Sequence, residues 1–248
     1  MVAPKDQPEN EQQETESGSM PFLEHLEELR RRLIKAVLGV VVCSGAAFYF
    51  SDELIRAIKL PLHGVPLHNM QVTGTFYAYL KISLIAGVVG ALPIIFYQTW
   101  QFIAPGLYKR ERLVIIPLVI VSTALFLVGG GFCYFVVLPI ALQFLIGFAD
   151  DLIINYITIG SYISFAGLLI LAFGFGFQLP ILAYFLGKMG VVTSSMLGKA
   201  RRYAVIIILT VGAIITPPDV FTQVLLAFPL YLLYEISILV VKFTGKRH

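Results

Sequence analysis

Charge is what this chain has least of. Asp, Glu, Lys and Arg make up 13% of its 248 residues, against 58% hydrophobic residues and a mean hydropathy of +0.84. So little polar surface cannot clothe a water-soluble globule of this length, which excludes a soluble enzyme or binding domain. Cysteine is almost missing: Cys43 and Cys133 both fall inside apolar blocks and read as small buried hydrophobes rather than a disulfide or metal pair, so they indicate no redox compartment. Alternation of apolar and polar positions is absent, which excludes a transmembrane β-barrel. No histidine sits well inside an apolar block, and there is neither a His-Glu-x-x-His motif nor a nucleophile elbow, so an intramembrane enzyme lacks its catalytic set. His63 and His68, five apart, are too sparse for a metal site, and no cofactor is expected. Residues 1–19, rich in Glu, Gln, Pro and Ser, lack the apolar core of a cleavable signal or an anchor and read as a disordered tail. The net charge of +3 gives no reason to expect nucleic-acid binding.

What the chain does have is apolar blocks, at about 33–50, 76–97, 113–137, 163–186, 203–216 and 220–241. Lipid requires every backbone group to be paired within its own segment, so the expectation is an all-α integral membrane protein with six transmembrane helices. Residues 20–242 form that domain, between the tail at 1–19 and a second tail at 243–248. Arg30, Arg31, Arg32 and Lys35 precede the first block. Lys109, Arg110 and Arg112 lie between the second and third; Lys188, Lys199, Arg201 and Arg202 lie between the fourth and fifth; Lys242, Lys246 and Arg247 close the chain. The opposite connections hold only Arg56, Lys59 and, at a helix edge, Lys81, so both termini are expected in the cytoplasm.

Proline recurs in or beside the spans at Pro93, Pro117, Pro139, Pro180 and Pro229, and bent helices of that kind can form a concave wall. Gly129-Gly130-Gly131 reads as close helix packing. The block from Tyr203 to Thr216 would span roughly 21 Å, well short of a hydrocarbon core near 30 Å. The block after it runs from Val220 only to Tyr234 before Glu235 interrupts, so the last two spans are expected to be short and to thin the membrane locally; an ordinary last span with Glu235 snorkelling to the interface is the alternative. The external connections, 51–75 and 138–160, are too hydrophobic to float free and are expected to cap the helix ends.

Between tail and first span, Phe22, Leu23, Leu26, Leu29 and Leu33 recur at helical spacing, with Glu24, Glu27, Glu28, Arg31 and Arg32 on the other face. Such a helix can lie on the cytoplasmic surface and then turn into the bilayer. Its charges have a self-contained explanation, since Glu27 with Arg31 and Glu28 with Arg32 make i,i+4 pairs worth about 0.3–0.5 kcal/mol each. A second carboxylate, Glu111, follows the aromatic, Pro- and Gly-bearing stretch Gln101-Phe102-Ile103-Ala104-Pro105-Gly106-Leu107-Tyr108 on the same side of the membrane. A guanidinium fits a carboxylate bidentately and an ammonium does not, so two separated carboxylates can tell Arg-Arg from Lys-Lys.

From Pro21 to Lys242 the chain resembles the TatC family, the polytopic receptor subunit of the twin-arginine protein translocase. The strings that carry the resemblance are His25-Leu26-Glu27-Glu28-Leu29-Arg30, Phe102 to Tyr108 with Glu111 beyond, Tyr134-Phe135-Val136-Val137-Leu138-Pro139, and Thr216-Pro217-Pro218-Asp219-Val220. The resemblance implies a receptor in the bacterial-type inner membrane. It would hold the twin-arginine motif of signal peptides at the cytoplasmic face and move folded proteins with TatA- and TatB-type single-span partners, driven by the proton gradient. It also implies a homo-oligomer within the receptor complex. Carried over by position, Glu28 and Glu111 match the acidic residues that take the two arginines, and Arg30 and Phe102 match others of that surface. Pro61 matches a proline of the first external loop, Thr216 and Gln223 match polar positions where partner helices dock, and Asp219 sits in the matching external turn. Gln178 stands where many family members carry Glu, and an amide cannot titrate there. It can dock a partner helix or be satisfied by neighbouring helices.

A secondary transporter remains the rival on composition, because Lys81, Gln178 and Glu235 are polar groups in apolar blocks. Against it stands the absence of an internal repeat with paired broken helices.

Overall fold

A computed structural model describes residues 11–62, 64–103, 115–147, 156–216 and 219–244, with 11–23 described by backbone alone. Helices α1 (Glu11–Tyr49), α2 (Ser51–Lys59), α3 (Gly74–Gly90), α4 (Leu92–Ile103), α5 (Ile115–Phe132), α6 (Leu138–Ile146), α7 (Ile159–Gly176), α8 (Leu179–Lys188), α9 (Ser194–Ile215) and α10 (Val220–Thr244) account for nearly all of them. Among the described residues there is no strand, only one isolated bridge between His68 and Thr158.

The surface segment and first span are one continuous helix, with no turn between them. No Gly or Pro interrupts 22–38, and Leu, Glu, Arg and Lys all propagate a helix well. The helix also begins at Glu11, inside the polar stretch read as a tail. Elsewhere proline and glycine break the rods. α3 and α4 bend by 52° at Ala91, just before Pro93. Pro180 opens α8 after the break at Phe177–Gln178. A π-helical segment at Cys133–Val137 joins α5 to α6 just before Pro139, so this rod runs from Ile115 to Ile146 and 138–146, expected in a loop, is helical. Pro229 is absorbed inside α10.

Among the described residues four helical stretches are long and apolar enough to cross a membrane, and the bent α3–α4 pair makes a fifth if it is one span. α9 is 22 residues long, but Lys199, Arg201 and Arg202 occupy its first half. In the last two helices it is therefore the uncharged stretch that is short. Arg201 of α9 and Glu235 of α10 pair with each other, and the uncharged stretches of both helices end at that level.

Small residues set the close approaches. A Cβ on Gly87 of α3 would meet the Ser44 backbone of α1 at 2.6 Å, and one on Gly129 of α5 would meet the Phe177 ring at 2.7 Å. Gly131 has open space around it, so the packing role of the triple glycine belongs to Gly129 and its neighbour Gly130, which faces Ile170 at 3.3 Å.

A cap covers one end of the bundle. Ile55, Ile58 and Leu62 join Leu138, Leu142, Ile163 and Phe173 in one buried cluster. Tyr134 donates to Ala57 O at 2.6 Å, Tyr162 donates to Ile58 O, and Tyr79 donates to Asp52 at 2.6 Å, so three tyrosines of the spans hold α2 over the helix ends.

Candidate functional site

At the opposite end of the bundle α1 crosses α4, and a polar cleft of about 460 Å³ opens between Glu24, Glu27, Glu28, Arg31, Arg32 and Lys35 of α1 and Gln98 and Gln101 of α4. His25 fixes the crossing by stacking on Phe102, with ring centroids 4.4 Å apart and planes at 16°. Sequence reasoning singled out Glu28 and Phe102 and missed Gln98 and Gln101. Their signal was available: two amides at i,i+3 spacing at the end of an apolar block, on one helix face.

Both i,i+4 pairs form, and they differ. Arg31 and Glu27 meet at 3.4 Å with both side chains 70% exposed, which makes that pair nearly neutral energetically. Arg32 is 17% exposed and Glu28 34%, and both Nε (3.1 Å) and Nη2 of Arg32 donate to the same oxygen, Glu28 Oε1. Among the described residues the other oxygen, Oε2, meets only His25 Nδ1, at 3.8 Å. The hydrogen bond from Arg32 holds the Glu28 carboxyl below the usual carboxylate value, despite an opposing desolvation, so it stays anionic. Among the described residues Arg32 Nη1 is buried without a hydrogen-bond partner. Arg30 is exposed and outside the cleft lining. Glu111 lies outside the described residues.

The other singled-out residues lie apart from this cleft. Gln178, 5% exposed, donates from Nε2 to Ser122 O at 3.0 Å, while Ser122 Oγ accepts from Trp100 Nε1 at 3.0 Å. A buried polar chain thus links α4, α5 and the α7–α8 break. Thr216 is buried and donates to Gly212 O at 2.9 Å, and half-buried Gln223 donates to Leu209 O at 3.0 Å, so both bond back onto α9. Asp219 is the N-cap of α10: its Oδ1 accepts from Thr222 N at 2.7 Å and its Oδ2 from the Thr222 hydroxyl. Pro61 is buried in the 3-10 turn Leu60–Leu62 that follows α2. An apolar groove of about 690 Å³ opens beside α10, between Phe132, Val136 and Phe177 on one side and Phe221, Val224 and Phe228 on the other.

The fold and this cleft define a multi-pass helical membrane protein that carries a charged recognition surface where two helices cross at one end. The family described as Sec-independent protein translocase protein (TatC) matches residues 24–229. A TatC of Aquifex aeolicus is 44% identical over 234 residues, covering 92% of this chain and 97% of that one. A TatC of Desulforapulum autotrophicum is 41% identical over 237 residues, covering 94% and 88%, and that of Escherichia coli K12 is 36% identical over 230, covering 91% and 89%. The crystal structure of a twin-arginine translocase receptor, TatC, superposes with a TM-score of 0.83 at 44% identity, over 89% of this chain and 99% of that one. The chain belongs to the TatC family, a family of translocase subunits and not of enzymes.

Proposed function

We propose that the α1–α4 cleft receives the twin-arginine motif of signal peptides, with Glu28 and Glu111 each taking one guanidinium and Arg30 and Phe102 contributing to the same surface. One observation carries the reading. Glu28 already holds a guanidinium on Oε1, while among the described residues Oε2 meets only a histidine at 3.8 Å, which leaves an anionic carboxylate with one oxygen not hydrogen-bonded by them. The described flanks of Glu111 support its share, because Ile103 and Ile115 pack against the same buried cluster as Trp100. Both flanks therefore lie towards the end of the bundle that carries Glu28.

In this reading six rods cross the membrane: α1, α3–α4, α5–α6, α7–α8, α9 and α10. Both termini lie in the cytoplasm of a bacterial-type inner membrane, as the Lys and Arg distribution favours. Polar tails flank the 20–242 domain. TatA- and TatB-type single-span helices dock near Thr216 and Gln223, with Gln178 as a further polar contact, while Pro61 and Asp219 shape the external loops. Copies of the chain assemble in the receptor complex, and the proton gradient drives transport of the folded cargo. The short uncharged stretches of α9 and α10 thin the bilayer beside that route.

Transport of a small solute is disfavoured by the three groups that suggested it. Lys81 bonds Ser164, Gln178 bonds Ser122 and Glu235 bonds Arg201, each at a different place and with no shared path. Photocrosslinking from positions along α1 and α4 to an authentic precursor tests the receptor reading. Strong capture of Arg-Arg and weak capture of Lys-Lys peptides is expected, and equal capture of both overturns the carboxylate mechanism.

A further inference from the structure

A second polar cleft, of about 710 Å³, lies at the far end of α3–α4 from the Glu28 site, between the N-terminal parts of α3 and α7. Its walls are fixed to each other. His68 N donates to Ile157 O at 2.8 Å, Ile159 N donates to His68 O at 3.1 Å, and the Thr158 hydroxyl donates to Ser161 Oγ at 2.7 Å. Asn69, Gln71, Tyr77, Ser161 and Ser164 supply polar lining around Lys81, and among the described lining residues there is no other cation and no acid.

The cation is incompletely satisfied. Lys81 Nζ donates to Ser164 Oγ at 2.8 Å, and that hydroxyl passes its own proton to Gly160 O at 2.8 Å, so the contact is to a neutral oxygen. Among the described residues no carboxylate pairs with Lys81, and an ammonium with three protons retains donors for a ligand. An unpaired charge in a membrane-facing helix is costly unless something compensates it.

Its depth identifies the compensating group. Lys81 lies about 10 Å along the axis from the start of α3. At that same end Phe76, Tyr77 and Tyr156 are 58%, 55% and 56% exposed, as rings at the headgroup level of a bilayer are. Lys81 therefore stands just inside an aromatic belt and reaches towards the headgroups. Exposed Leu80 and Leu84 continue the α3 surface with apolar area that suits an acyl chain and that a soluble anion would not use.

We propose that this cleft seats the phosphate of a glycerophospholipid from the adjoining leaflet, with Lys81 as its counter-ion and the Ser161 hydroxyl and the Asn69 and Gln71 amides around its oxygens. The site is independent of signal-peptide capture. Native mass spectrometry of the delipidated full chain, with phosphatidylglycerol added, tests it. One retained lipid is expected, with about tenfold weaker retention in Lys81→Gln for loss of one charge-assisted bond, near-normal retention in Lys81→Arg and no retained diacylglycerol. Ser161→Ala, which leaves the lysine in place, is expected to weaken retention less. Retention by Lys81→Gln equal to the parent, or equal retention of diacylglycerol, overturns the proposal. Displacement of the lipid by millimolar inorganic phosphate overturns it too, because it would mark a soluble-anion site. Arg-Arg peptide capture by Lys81→Gln is expected to be unchanged, so this site and the peptide cleft can fail separately.

Discussion

Glu28 and Glu235 are both held by an arginine, and the difference between them separates a receptor group from a structural one. Arg201 reaches Glu235 from another helix and grips both oxygens, Nε to Oε1 at 2.7 Å and Nη2 to Oε2 at 2.8 Å, while Tyr231 donates to Oε1 at 2.9 Å. Tyr234 adds a bond to Leu197 O at 2.7 Å, so the ends of α9 and α10 are tied together. That carboxylate has little left to offer a ligand. Arg32 instead comes from one turn along the same helix, where i,i+4 geometry brings its donors to a single oxygen of Glu28. The carboxylate keeps its charge, and among the described residues its second oxygen accepts no hydrogen bond. A fork-on-fork pair across helices saturates the group, whereas a lateral pair along one helix keeps it anionic and available.

Removing the charge at each place should break this symmetry most visibly. Glu28→Gln is expected to weaken capture of an Arg-Arg peptide by about tenfold, the lower end of the range for a charge-assisted bond because the group is about one-third exposed. Glu235→Gln should leave capture unchanged, and peptide crosslinking yields compare the two directly; a matching loss in both variants would erase the distinction.

A smaller effect is expected from pH. Arg32 lowers the Glu28 pKa from its ordinary value near 4.5, so the contribution of the anion is full above that value and is lost only as pH falls through the lowered one. Capture should therefore persist somewhat below pH 4.5 in the parent, and Arg32→Ala should move its loss upward toward that value. An unmoved midpoint would mean that Glu28 is not the titrating group. The smallest change expected is structural: Glu235→Gln should lower Tm in detergent, because Arg201 is left facing a neutral amide, whereas Glu28→Gln should hardly shift it. Equal Tm values for both variants would remove the structural role of the α9–α10 pair.

Much of this architecture can be read along the chain because hydropathy and helix breaking are local. Most of each apolar block is helical, Pro93 and Pro180 lie beside helix breaks, and the pairing of Glu28 with Arg32 follows from spacing alone. Other features depend on distant residues. The segment 138–146 looked like a loop because Pro139 follows the apolar block, yet a π-helical turn carries the helix past it. The hydrogen bond from Gln178 to the carbonyl oxygen of Ser122, 56 residues away, has no sequence signal. Gln98 and Gln101 carry a local signal as amides at i,i+3 spacing, but α4 alone does not tell that α1 crosses it there.

The amino-acid sequence alone determined that this is a helical membrane protein, which apolar stretches are helical and which carboxylates carry a neighbouring arginine, because lipid burial and i,i+4 contact depend only on nearby residues. Tertiary structure decided which polar groups are already spent and which remain open. That outcome depends on side chains from separate helices meeting at hydrogen-bond distance, as Arg201 meets Glu235 and as Lys81 meets no acid among the described residues.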